Sequence, residues 1–84
     1  MVILSDVEIA KLLSLSEIIE TVEAALAAYE KKEAMVPQRM HFDHDYGTLL
    51  CMPSFGKQFF GTKLVSVIPG NATKGLPVTN GAML

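Results

Sequence analysis

"GTKLVSVIPGN", residues 61–71, is the stretch whose reading decides the fold. Thr62, Leu64, Ser66 and Ile68 alternate with Lys63, Val65 and Val67, and the run is closed by Pro69 and Gly70, so it reads as a strand set into a sheet. Alternation places Lys63 on one face with Val65 and Val67. A lysine left unpaired on an apolar face is costly, so this one needs a partner, a route to an edge, or a ligand.

The same periodicity extends outward in both directions. In "VPQRMHFDHDYGTLLCMPSF", residues 36–55, Met40 and Phe42 fall on one face and Arg39, His41 and Asp43 on the other. The chain then turns at "HDYG" into a second strand over Thr48 to Met52, which makes a hairpin. After residue 70, "NATKGLP" reads as a loop and "VTNGAML" as the start of a fourth strand.

The first third follows a helical pattern instead. "SDVE" sets Ser5 three residues before Glu8, and "SLSE" sets Ser14 three before Glu17; each spacing predicts a capping box and a helix start. In the second helix Ile18, Val22, Leu26 and Tyr29 recur at helical spacing, widened by Ile19 and Ala25, while Glu20, Glu23, Glu30 and Lys31 fall largely elsewhere. The expectation is an α+β fold: two N-terminal helices packed on a mostly antiparallel sheet of about four strands, residues 1–84 forming a single partial domain.

Composition excludes several classes of function. The chain has 84 residues, half of them hydrophobic, and a net charge of −2 without blocks, so it offers no basic footprint for nucleic acid. No run approaches the roughly 18 apolar residues of a membrane span, and "MVILSDVE" is too short and too acidic for a signal peptide; the expected location is cytoplasmic. A chain this small and this apolar is marginal alone, which points to surface covered by another subunit or domain. The one cysteine, Cys51, lies in the apolar run "TLLCMP" and reads as an inert thiol.

Most candidates for chemistry fail on their spacing. "GNATKG", Gly70 to Gly75, has the glycine spacing of a phosphate loop, but Leu76 and Pro77 stand where Lys and Ser or Thr are required. "HFDHD" offers His41, Asp43, His44 and Asp45, yet only His41 and Asp43 share a strand face, so a polar hairpin tip is the reading and no metal site is assigned. No serine, histidine and aspartate set has a nucleophile context. What survives is a pair of cations, Arg39 and Lys63. Each either snorkels or pairs with an acid such as Asp43, or the two form an anion site, with a flat guanidinium fork beside a point charge, suited to a small carboxylic acid.

Taken in order, "VPQR", the "MP" of "LLCMPSF", "GTKLVSVIPGN" and "KGLPVTNG" resemble the N-terminal segment of the ornithine cyclodeaminase and mu-crystallin family, which includes alanine dehydrogenases and ketimine or pyrroline-carboxylate reductases. The similarity also takes in "ILSDVEIAKLL" and the helix after it. The resemblance implies a substrate-binding and dimerisation domain, hence a homodimer, in which Arg39 and Lys63 hold the carboxylate of an amino or imino acid against the nicotinamide of NAD or NADP. Met52 would line the same pocket, and Thr79 would lie near the cofactor edge.

Two departures from the family pattern shape these expectations. Ornithine-specific members carry an acid two positions before the Met of Met-Pro, and Leu50 stands there, so an acid with a shorter or apolar side chain fits better than ornithine. The family's dinucleotide-binding half has no counterpart, since no G-x-G-x-x-G joins a strand to a helix. Residues 1–84 therefore read as half of an oxidoreductase or lyase site of amino acid metabolism, with no catalytic residue and no tightly held cofactor of their own. The alternative reading is a standalone, noncatalytic dimeric module that binds small acids or another protein.

Overall fold

The computed structural model describes all of residues 1–84. Two compact units divide it, Met1–Glu33 and Ala34–Leu84.

The first unit is helical and begins where local chemistry dictates. Helix α1 spans Asp6–Leu12 and α2 spans Leu15–Glu30. At each start the serine accepts from the backbone N–H of the glutamate three residues on, while that glutamate accepts from the serine N–H: Ser5 with Glu8 and Ser14 with Glu17. Both boxes satisfy donors that a helix end leaves free. Helix α2 stops by a different device. Glu33 N–H donates to Ala28 O and Lys32 N–H to Tyr29 O, the pair of bonds of a Schellman motif, and Lys32 occupies the left-handed position at φ 59° that such an ending requires. A lysine there carries strain that glycine would not.

The second unit is an antiparallel meander in the order β1-β2-β3-β4, with β1 Met40–His44, β2 Gly47–Phe55, β3 Phe60–Val67 and β4 Thr79–Met83. A two-residue turn, Asp45–Tyr46, joins β1 to β2. Helices followed by an antiparallel sheet give the α+β class that the periodicity predicted. Strand β2 runs further than read from sequence, through Pro53 to Phe55, because Pro53 sits where β1 no longer pairs: the β1–β2 ladder ends at Met40 and Cys51, so the missing proline donor costs no bond on that side. Pairing resumes at Met35, whose N–H and C=O both bond Phe55. Between those two pairs the four residues Val36–Arg39 face the three residues Met52–Ser54, an irregularity of one extra residue that frees the backbone under Arg39.

The predicted loop after β3 is corrected. Pro69–Lys74 is a 3-10 helix, opened by Pro69 and closed by Gly75 at φ 70°. Asn71 and Asn80 side chains both donate to Pro77 O, at 3.0 and 3.2 Å, and Ile68 N–H donates to Val78 O. These bonds return the chain antiparallel to β3.

No side chain in the chain is fully buried; half-buried residues gather in the two central strands, Leu50–Pro53 of β2 and Leu64–Val67 of β3. Apolar burial drives folding at roughly 25 cal/mol per Å², so the central strand pair holds most of what this sheet gains. No helix is long and apolar enough to cross a membrane.

Candidate functional site

Register decides which side chains meet. Met52 stands opposite Lys63, and Lys63 opposite Met83; Leu50 opposite Val65, and Val65 opposite Gly81; Thr48 opposite Val67, and Val67 opposite Thr79. On β1, His41 faces Leu50 and Asp43 faces Thr48. Arg39 lies just before β1, outside the ladder, at the Met52 end. Three of the residues singled out from the sequence thus share one face, Met52 and Lys63 toward one end and Thr79 two rows away on β4.

Two parts of the sequence reading change here. Arg39 lies just before β1 rather than within a strand. The face bearing Lys63 is not strongly apolar either. Across four strands it carries His41, Asp43, Thr48, Lys63 and Thr79 among Leu50, Met52, Val65, Val67 and Met83. The apolar face is the opposite one, with Met40, Phe42, Leu49, Cys51, Phe55, Phe60 and Leu64. A single strand shows its own alternation only; the polar character of the Lys63 face comes from β1 and from Thr79.

Electrostatics leave the two cations available. Neither Arg39 nor Lys63 forms a salt bridge or a side-chain hydrogen bond. The acid that could have paired with them, Asp43, is engaged elsewhere: its Oδ1 accepts from Thr48 Oγ1 at 2.7 Å and contacts His41 Nε2 at 3.0 Å. The Thr48 hydroxyl holds the Asp43 carboxyl below the usual aspartate range; desolvation opposes it, and the nearby His41 adds smaller lowering effects. Lys63 is exposed, which removes the desolvation problem that its sequence position raised, and Met52 beside it is half-buried. No group of three or more His, Cys, Asp or Glu side chains is arranged to hold a metal ion.

Two grooves of the sheet unit do not involve the cations. A groove of about 450 Å³ on the opposite face is lined by Met40, Cys51, Pro53, Phe55, Phe60 and Leu84. Another, of about 490 Å³, lies at the turn end of the sheet between Tyr46 and Asn71. Arg39 and Lys63 line neither.

A nicotinamide cofactor is tested by whether these residues could cradle its phosphates. They do not. The glycine-rich stretch Gly70–Gly75 is the 3-10 helix itself and leads into β4, whereas a dinucleotide cradle needs a strand, a glycine turn and the N-terminus of an α-helix. Thr79, expected near the cofactor edge, is exposed on the Lys63 face.

Comparison with known proteins agrees with the motifs. The family model of the ornithine cyclodeaminase/mu-crystallin family matches residues 1–84. Alanine dehydrogenase of Archaeoglobus fulgidus is 33% identical over 82 residues, covering 98% of this chain and 26% of that protein. Among solved structures, an archaeal alanine dehydrogenase dimer with bound NAD superposes with a TM-score of 0.85 at 32% identity, over 96% of this chain and 25% of the other. The Thermococcus litoralis Delta(1)-pyrroline-2-carboxylate reductase, in complex with NADH and L-proline, gives 0.78 at 36% identity, over 88% and 24%. The chain spans about a quarter of the length of these relatives. It belongs to the ornithine cyclodeaminase/mu-crystallin family.

Proposed function

We propose that residues 1–84 supply the wall that binds the carboxylate of an α-amino or α-imino acid in an NAD- or NADP-dependent oxidoreductase of this family. Arg39 and Lys63 hold the carboxylate, Met52 packs against the ligand between them, and Thr79 lies toward the cofactor. The observation that supports this reading is that Lys63 stands beside Met52 on one sheet face, with Arg39 just before β1 at the same end, and that no acid is paired to either cation. Strands are spaced about 5 Å apart, so two strands separate the cations by about 10 Å at the backbone. Long side chains close that gap onto one small anion, the guanidinium through two parallel donors and the ammonium as a point charge.

Two fixed cations orient the acid as well as hold it, which is the entropic part of preparing it for hydride transfer. Leu50 and Val65 leave the next row without an acid, so the bound acid's own side chain is short or apolar rather than cationic. Relatives of known structure carry NAD or NADH, one as a dimer and one with L-proline. Those findings support a nicotinamide cofactor, a dimeric enzyme and a small amino or imino acid here.

The test is a nitrogen-labelled 84-residue chain titrated with cyclopentanecarboxylate and followed by NMR. Amide shifts centred on residues 39, 52, 63 and 83 are expected. Shifts confined to Phe42, Leu49 and Leu64 on the opposite face would refute the assignment.

A further inference from the structure

We propose that His41 is the residue that meets the amino or imino nitrogen of the bound acid, a proposal that rests on the carboxylate site at Arg39 and Lys63. The row next to Lys63 contains His41, Leu50, Val65 and Gly81. His41 is its sole polar side chain. Successive rows on one face are about 7 Å apart along the strands, the span bridged by one α-amino acid making a hydrogen bond at each end. A carboxylate anchored at Arg39 and Lys63 therefore sends its α-nitrogen toward the row of His41, where every other side chain is apolar.

The hydrogen bonds already made by His41 set its chemistry. Its Nε2 lies 3.0 Å from Asp43 Oδ1, and the same oxygen accepts from Thr48 Oγ1 at 2.7 Å. An ionised carboxylate only accepts, so the proton of the histidine contact sits on Nε2, and a neutral ring then presents a lone pair at Nδ1. Nδ1 has no partner in the structure. It is an acceptor matched to the N–H of an ammonium or iminium group. Asp43 and Thr48 act through the ring as positioning residues: they hold the tautomer and the ring plane, and touch no ligand themselves. Asp43 on its own strand is the charged group in contact with the imidazole; β2 presents Thr48, Leu50 and Met52, none of them charged.

L-Proline and cyclopentanecarboxylate share ring size and carboxylate, and only proline has the ring nitrogen. Titrated into the 84-residue chain, proline is expected to bind at least about fivefold tighter, the worth of one hydrogen bond of about 1 kcal/mol. His41→Phe should abolish that preference while cyclopentanecarboxylate binds as before, and His41→Gln, which keeps an acceptor, should restore part of it. The ring nitrogen resonances of His41 should move with proline and stay still with the carbocycle, a signature that a merely structural histidine would not show. Equal affinities in the unaltered chain, or a proline preference that survives His41→Phe, would overturn the proposal while leaving the carboxylate site standing. If neither acid binds, or binding of both is indifferent to Lys63→Met, the carboxylate site itself falls and this assignment with it.

Discussion

Replacing Lys63 by methionine separates a ligand-binding lysine from a structural one. Its cross-strand neighbours are Met52 and Met83, so a third methionine continues the row with a side chain of similar length and no branching at Cβ. Lys63 makes no salt bridge and no side-chain hydrogen bond, so no native interaction is lost. Exposed substitutions of that kind change stability by no more than about 0.5 kcal/mol. Binding should respond differently. A hydrogen bond to a charged group is worth about 1.5–3 kcal/mol, and solvent screening at an exposed lysine favours the lower end, which corresponds to a loss of roughly tenfold in carboxylate affinity. Denaturant unfolding of both chains, set beside NMR titration with cyclopentanecarboxylate, reads the two quantities on the same samples. Arg39→Met alone should cost at least as much, since it removes a bidentate fork, and the double variant should show no measurable binding. The reasoning is refuted if Lys63→Met unfolds the sheet by more than about 1 kcal/mol while leaving the affinity intact, because the lysine would then be holding structure.

Other perturbations follow from local geometry. Lys32→Gly should stabilise the end of α2 by about 0.5–1 kcal/mol, the relief of left-handed strain less the added freedom of the unfolded chain, read by thermal melting of the far-UV circular dichroism signal. Gly61→Ala should destabilise the β3–β4 pairing by about 1–3 kcal/mol, since a Cβ there meets Leu84 O at 2.7 Å; protection of the Thr62 amide, which donates to that oxygen, falls in hydrogen exchange. Because Asp43 has a lowered folded-state pKa, its contribution to stability is present above the ordinary aspartate range and is lost as pH falls through the lowered value; carboxyl-carbon NMR should show that low midpoint, and Thr48→Val should raise it. The purified 84-residue chain should produce no NADH from any amino acid with NAD, since residues 1–84 contain no dinucleotide cradle; reproducible production would contradict that.

Features that depend on neighbours along the chain were legible in the sequence. The two helix starts follow from Ser5 with Glu8 and Ser14 with Glu17, because a capping box closes over four residues and needs nothing from elsewhere. The hairpin at Asp45–Tyr46 and the alternation within β1 and β3 are local in the same sense. Arg39 and Lys63 were legible as cations in or beside strands, and the motifs around them named the family. The 3-10 helix after β3 was missed: besides the bonds within its own turns, it is tied by Asn71 to Pro77 and by Ile68 to Val78, across the segment.

Order along the chain thus specifies the kind of element at each position and the residues able to carry charge: the capped helices, the strands, and the two cations without a dinucleotide motif beside them. The pairing of strands adds that Met52 and Lys63 stand side by side at one end of the more polar face, with Arg39 just before β1, and that Asp43 is taken by His41 and Thr48 instead of by either cation. The reason is physical. A strand's own alternation sets which residues share its two faces, but which strand lies beside it, and in what register, is a relation between residues far apart in sequence, and shifting one strand by a single residue would turn its whole set of side chains to the other side of the sheet.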